Sequence, residues 1–225
     1  MNTPWRLFLA ALRFVTHRST SPDDSSRATP QEAARFLPLV GILLGLWAGA
    51  IYWVGSQLWP TSVAVILCML ATALLEGRAA GVGTPYGIFV IIIQYNALMA
   101  LSAAHVPMAL PPYLALGLIM VAGQAASRAL VVSVMATDSG SADASANSRP
   151  TLNDLALALF IGLSPAVFLG IPGLIGLVAA ILVRLLLTAA LLPRLRYGYR
   201  ERLDVTQRLT EASFYLGALA TWKYV

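Results

Sequence analysis

Charged residues are scarce in this chain: Asp, Glu, Lys and Arg make up 11% of its 225 residues, against about 25% in soluble globular domains. That shortage, with 58% hydrophobic residues and a mean hydropathy of +0.75, excludes an ordinary soluble domain and indicates an integral membrane protein. A single cysteine, Cys68, lies inside an apolar run, so the chain alone builds neither a disulfide nor a Cys-rich metal site. With only two histidines, there is no Ser-His-Asp set, and neither a phosphate-cradling Gly-Lys loop nor a dinucleotide fingerprint occurs. No internal repeat is visible.

The net charge of +5 does not indicate nucleic acid, because bases beside apolar runs set membrane orientation and meet anionic lipid. At the N-terminus, Arg13 interrupts the apolar run that begins at Leu7, and no small-residue cleavage pattern follows, so a cleaved signal is not expected. Trp5, Phe8, Leu9, Leu12 and Val15 fall on one helical face, with Arg6, Arg13 and His17 on another. That pattern suits a helix in the membrane interface. A helix docked on the protein's own core fits equally well. Ser19 to Pro30, rich in Ser, Pro, Asp and Thr, reads as a surface loop.

Crossing a hydrocarbon core takes about 20 apolar residues. On that ruler seven segments are expected: Phe36 to Leu58, Thr61 to Leu75, Gly83 to Ala103, Tyr113 to Ala136, Leu152 to Leu169, Leu174 to Leu192 and Leu209 to Trp222. Trp59-Pro60, Pro107 to Pro112, Asp138 to Pro150 and Pro172-Gly173 mark breaks. The predicted fold is all-α, a polytopic bundle of about seven transmembrane helices with an N-terminal interfacial amphipathic helix. Residues 1–35 form the N-terminal helix and loop, and residues 36–225 a single transmembrane domain. Arginines precede the first span and follow the second, fourth and sixth, while the loops after the first, third and fifth contain none. By the positive-inside rule the N-terminus is cytoplasmic and the C-terminus, with Lys223, is outside.

Three groups of residues are candidates for chemistry. Glu76 and Arg78, in the hinge Leu74 to Gly83, place an acid and a base at the cytoplasmic edge. Arg128 and Arg184 each lie about eight residues, or ~12 Å, inside that edge. Together they could hold a phosphate through planar, multidentate hydrogen bonds, or they could snorkel or bond helix-end carbonyls. Glu201, Asp204, Arg208 and Glu211 follow at +3, +4 and +3 on one helical face, which could coordinate a cation or form a solvated stripe with internal ion pairs. Gln94, Tyr95 and Asn96 could line a cavity or bond between helices. His105 and His17 read as structural or solvated.

The segments Ala11-Leu12-Arg13-Phe14-Val15-Thr16 and Ala34-Arg35-Phe36-Leu37-Pro38-Leu39-Val40-Gly41 through Gly45 strongly resemble the N-terminal signature of the cobalamin synthase family, the adenosylcobinamide-GDP ribazoletransferases. Ala126-Ser127-Arg128-Ala129, Asp154-Leu155-Ala156-Leu157 and Leu209-Thr210-Glu211-Ala212-Ser213-Phe214-Tyr215-Leu216 resemble later family segments in the same order. The resemblance implies a multi-pass protein of the bacterial inner membrane. It implies a reaction in which adenosylcobinamide-GDP joins α-ribazole or its phosphate, giving adenosylcobalamin or its phosphate and releasing GMP, with Mg²⁺ held by carboxylates. On that resemblance Glu76 and Arg78 are the catalytic pair, Arg128 and Arg184 bind substrate phosphate, and Glu201, Asp204 and Glu211 are the metal ligands. Implied partners are the corrinoid nucleotide, α-ribazole and the lipid bilayer, with a homo-oligomer or another membrane protein of cobalamin synthesis as protein partner.

The family's acidic run H-L-D-G-L-A-D-x-x-D-G between spans two and three has no counterpart here. Glu76-Gly77-Arg78 with Gly83 resembles only the tail of the stretch that follows it, and Gln94 stands where the family has a lysine. Loss of carboxylate ligands removes transition-state charge stabilisation worth several kcal/mol. An active transferase and a catalytically degenerate relative that binds a corrinoid or partners the active synthase are therefore both expected readings, separated by GMP release. A small-solute transporter is a third, weakened by the missing inverted repeat.

Overall fold

The computed structural model describes residues 4–16, 33–76, 85–103, 111–137, 150–191 and 199–222. Arg78 and the rest of the 77–83 hinge, the Ser19 to Pro30 loop, His17, His105, Asp138 and Asp143 lie outside the described residues. The described residues are helical and form no strand. The helices are α1 (Pro4–Val15), α2 (Leu37–Leu58), α3 (Thr61–Leu75), α4 (Pro85–Ala103), α5 (Pro112–Thr137), α6 (Leu152–Phe168), α7 (Ile171–Leu186) and α8 (Tyr199–Trp222). A short 3₁₀ turn, Ala34–Phe36, leads into α2, and a π-helical turn, Leu187–Leu191, extends α7.

Proline sets most of the helix starts. Pro38 occupies the first turn of α2, Pro60 caps α3, and Pro85 and Pro112 open α4 and α5, positions where a missing N–H costs no intrahelical bond. Pro172 acts in the same way inside the first turn of α7. The break expected at Pro172-Gly173 is therefore corrected to Leu169-Gly170, where Gly170 takes φ +65°, a conformation that L side chains rarely adopt. The α6 start is closed by a reciprocal capping box between Thr151 and Asp154.

The structure is a helical membrane bundle. Four helical stretches are long and apolar enough to cross a bilayer: Ala34–Leu58, Tyr86–Ala103, Tyr113–Thr137 and Ile171–Ala189. Thr61–Leu75 and Leu152–Phe168 are shorter apolar helices. The seventh expected segment begins ten residues earlier than Leu209, because the charged Tyr199–Arg208 stretch and the apolar C-terminal half form one continuous helix, α8. Its polar first half keeps it outside the four by composition. Large apolar side chains cover the bundle's outside, Phe89, Phe160 and Phe168 among them, which suits hydrocarbon tails rather than water.

At the centre stands α5, buried nearly all round and packed on α2, α4, α6, α7 and α8. Gly41, Gly45 and Gly49 recur every four residues on α2 and face it, the small-residue spacing that lets membrane helices approach closely. A Cβ at Gly41 would lie 2.5 Å from the Gln124 carbonyl oxygen, and one at Gly45 would lie 2.4 Å from Val121 Cα. This close approach fixes the height and rotation of Gln124 and Arg128 relative to α2.

The first helix docks on the bundle through Ala11 and Val15, which join a core cluster with Leu37, Val40, Leu44 and Val131, and Leu7 is buried on the same stripe. The expected apolar face is rotated: Trp5 is 65% exposed on the side that also exposes Arg6 and Arg13. The small Ala11, rather than Phe8, sits at the closest contact, so the stripe seated on the core is the i, i+4, i+8 line from Leu7.

Candidate functional site

Polar side chains inside the bundle collect where α3, α4, α5 and α8 meet. Glu76 caps the C-terminal end of α3 and is 7% exposed. From α5, the Arg128 Nη2 donates to Glu76 Oε1, and Nη1 donates both to the Gln124 carbonyl oxygen at 3.0 Å and to Gln124 Oε1. Gln124 in turn donates through Nε2 to Glu211 Oε1 on α8 at 2.7 Å. That oxygen also accepts from the Tyr215 hydroxyl at 3.0 Å, while Gln207 Nε2 donates to Glu76 Oε1 at 3.4 Å. Three helices, α3, α5 and α8, are thereby joined in one network, with Arg128 at its middle and 1% exposed. An arginine so buried needs a carboxylate and additional acceptors to offset its desolvation.

A cavity of about 390 Å³ opens against this network. Its walls are apolar, with Ile66, Met69 and Leu70 from α3, Ile91, Ile92 and Leu98 from α4, and Met120 from α5. Thr72, Glu76, Gln94, Gln124, Arg208, Glu211 and Tyr215 make its polar lining. Apolar walls with a few convergent polar groups are the ordinary form of a small-molecule site.

The structure separates the residues that the sequence grouped. Glu76 lines the cavity, but its expected partner Arg78 lies outside the described residues. Neither Arg128 nor Arg184 is among the residues that line this cavity. Arg184 donates through Nε to Ser133 Oγ at 3.0 Å, and through Nη2 to the Ser133 carbonyl at 3.1 Å and Thr137 Oγ1 at 3.0 Å. It clamps α7 to the end of α5, five to nine residues beyond Arg128, and does not line the cavity. One arginine is held by Glu76 and Gln124, the other by Ser133 and Thr137 of α5.

The face Glu201, Asp204, Arg208 and Glu211 does lie on one helix, yet its carboxylates do not converge. Glu201 is exposed, Asp204 Oδ2 stands 3.3 Å from Arg208 Nε, and Glu211 accepts from neutral donors on α5 and α8. Among the described residues no three His, Cys, Asp or Glu side chains are grouped to hold a metal. This donor set does not fit Mg²⁺, which takes octahedral oxygen ligands. Gln94 and Tyr95 do line the cavity, whereas Asn96 donates back to the Ile92 carbonyl at 2.7 Å.

Sequence reasoning passed over Arg208 as a cavity group, treating it as part of a charged stripe. The available signal was its position three residues before Glu211, on the helix side that turns inward as α8 becomes apolar.

Residues 7–80 match the family model described as Cobalamin-5-phosphate synthase. Over 72 residues, 32% of this chain and 28% of the relative, the chain is 42% identical to the adenosylcobinamide-GDP ribazoletransferase of Shewanella amazonensis. It is 44% identical to that of Leptothrix cholodnii over 75 residues, again 32% of this chain and 28% of the relative. With the enzyme of Ralstonia nicotianae the identity is 33% over 136 residues, 47% of this chain and 50% of the relative. The chain thus spans between about a quarter and a half of the length of these curated relatives. No solved structure matches. The matched segment runs from α1 through α3 and ends just beyond Glu76.

Proposed function

Because residues 7–80 relate this chain to the cobalamin-5-phosphate synthase family, as a divergent relative with cobalamin-synthase-like function, we propose that it serves the ribazoletransferase reaction. In this reading adenosylcobinamide-GDP and α-ribazole, or its phosphate, are its substrates. The observation that carries the reading is the meeting of Glu76, at the end of the family-matched segment, with Arg208 and Glu211 of α8 around one cavity. The bond made joins a ribose hydroxyl oxygen of α-ribazole to the corrinoid-side phosphorus. The bond broken lies within the diphosphate, so GMP leaves with the electron pair and the hydroxyl loses its proton. The side chains described here can bind and orient a substrate and accept a hydroxyl's hydrogen bond at Glu211. They do not by themselves assemble a Mg²⁺ site. The proposed setting is the bacterial inner membrane with the N-terminus in the cytoplasm.

Purified protein in lipid nanodiscs, supplied with adenosylcobinamide-GDP, α-ribazole and Mg²⁺, is expected to release GMP in step with corrinoid product. Absence of turnover at saturating substrate overturns the catalytic reading.

A second reading, a non-catalytic relative that binds the corrinoid nucleotide or partners an active synthase, is favoured by a specific observation. Both terminal nitrogens of Arg128 are engaged by Glu76 and Gln124, and the described carboxylates are dispersed. Corrinoid binding or co-purification with an active synthase, without GMP release, would support it; finding neither removes it.

A further inference from the structure

On α4 one polar side chain points away from the bundle in the middle of an apolar span. Asn96 is the twelfth of the 19 residues of that helix, so about 10 Å of helix separates it from the nearer end. A helix of this length just crosses the hydrocarbon. The side chain is exposed. Its Nδ2 donates to the Ile92 carbonyl of its own helix at 2.7 Å, and no described residue bonds its Oδ1 or takes its second N–H. Other polar groups within the spans are placed differently: Gln94, Gln124 and Arg128 are buried, and Arg184 is bonded to α5. An amide facing hydrocarbon loses free energy unless it is hydrogen-bonded, and asparagine is too short to reach the interface as lysine and arginine do.

The residues around Asn96 are laid out as a packing seam. Phe89, Ile93, Asn96, Ala100 and Ala103 are all exposed and follow one another at +4, +3, +4 and +3, the heptad spacing of a coiled-coil stripe. They share an arc of about 80° on the helix surface. Val90, Gln94 and Leu101 are buried on the other side, where α4 packs on α3, α5 and α8. No charge interrupts the outward stripe, and its two alanines let a facing helix approach closely. A carboxamide carries donor and acceptor together, so a second copy of the same group satisfies both, whereas a lipid tail satisfies neither. Two copies of this chain in one bilayer share an orientation. A twofold axis along the membrane normal therefore sets α4 parallel to α4, with the two Asn96 side chains at the same depth.

We propose that this chain self-associates through the outward stripe of α4, as a dimer in which the two Asn96 amides bond reciprocally and Phe89, Ile93, Ala100 and Ala103 pack across the axis. One polar residue in an otherwise apolar seam fixes the register, because an axial slip parts the amides. The contact is separate from the cavity, which Asn96 does not line. Gln94 and Tyr95, its neighbours in the chain, do line it, so α4 serves as cavity wall on one side and as interface on the other. The dimer stands apart from the ribazoletransferase reading, and no step of that reaction enters its test.

The test uses the full chain in phosphatidylcholine vesicles, labelled at its C-terminus with a donor or an acceptor dye, and follows energy transfer as the protein is diluted in lipid. Wild type is expected to self-associate, and Asn96→Leu to weaken the association by about tenfold. Asn96→Gln, which keeps the amide, is expected to retain most of it. Circular dichroism checks the folding of each variant. A second measurement locates the contact without changing Asn96: in a Cys68→Ala background, Ile93→Cys and Ala100→Cys are oxidised in the membrane. Both are expected to give disulfide-linked dimers, whereas Val178→Cys on α7 and Phe160→Cys on α6, equally open to lipid, are not. Wild type that stays monomeric overturns the proposal, whatever other membrane protein it captures. So does Asn96→Leu associating as strongly as wild type, or cross-linking no stronger from α4 than from α6 and α7. Should Asn96→Leu not fold, the cross-linking pattern decides alone.

Discussion

Glu76 and Arg128, 52 residues apart in the chain, are bonded to one another inside the bundle, so that the end of α3 is tied to the middle of α5. The pair is nearly sealed from solvent, with side-chain exposures of 9% and 2%. In such a setting desolvation and attraction are both large, and the loss of one partner leaves an uncompensated charge.

Replacing Glu76 with Ala is therefore expected to destabilise the protein by about 3–5 kcal/mol. The double variant Glu76→Leu with Arg128→Met is expected to recover most of that loss, because no buried charge is left unpaired. Thermal unfolding of wild type and the two variants in one detergent checks this. A single variant as stable as wild type would show that the pair does not join α3 to α5.

The α2–α5 approach yields a graded series. Alanine at Gly41 or Gly45 places a Cβ within about 2.5 Å of α5 backbone, and overpacking of this kind costs about 1–3 kcal/mol. At Gly49 the nearest atom is Gly117 Cα at 3.1 Å, so alanine there is expected to cost less. Unfolding midpoints ordered Gly49→Ala above Gly41→Ala and Gly45→Ala are the predicted result. Equal midpoints would mean that α2 can shift freely on α5.

Arg184→Met tests the division of labour between the two intramembrane arginines. It removes three hydrogen bonds to Ser133 and Thr137 and is expected to lower stability by about 1–3 kcal/mol. Affinity for α-ribazole phosphate should stay within about twofold of wild type, since Arg184 does not line the cavity. A selective loss of phosphate affinity with stability unchanged would restore Arg184 as a phosphate ligand.

Membrane orientation is checked by reporter fusions. An alkaline phosphatase domain fused after Val225 is expected to be active, and one fused within the loop 138–149 inactive, if the N-terminus is cytoplasmic and α8 crosses the bilayer. Activity in the reverse pattern would place the cavity network at the other membrane edge.

Much of the architecture was legible in the residues. Apolar runs punctuated by Trp59-Pro60 and by prolines at helix starts located α2 through α7 to within a few residues, since membrane helices satisfy their backbone internally and their ends are set by local chemistry. The charged face of α8 was legible as spacing. Its early start was not, because a polar half-helix lacks the hydropathy of a span. The rotated face of α1 was equally hidden, since two apolar stripes compete on that helix and only contact with α2 and the 3₁₀ turn before it chooses between them.

The sequence by itself determined that this chain is a helical membrane protein related in its N-terminal third to cobalamin synthases, because composition, hydropathy and local residue order act without long-range contacts. Only the tertiary structure decided which charges serve each other. Arg128 is matched to Glu76 from another helix, Arg184 to hydroxyls on α5, and Arg208 is left facing a cavity with Glu211. Those roles depend on helix rotation and on the close packing at Gly41 and Gly45. A guanidinium's chemistry is set by the acceptors that stand opposite it, and spacing along the chain does not say which ones they are.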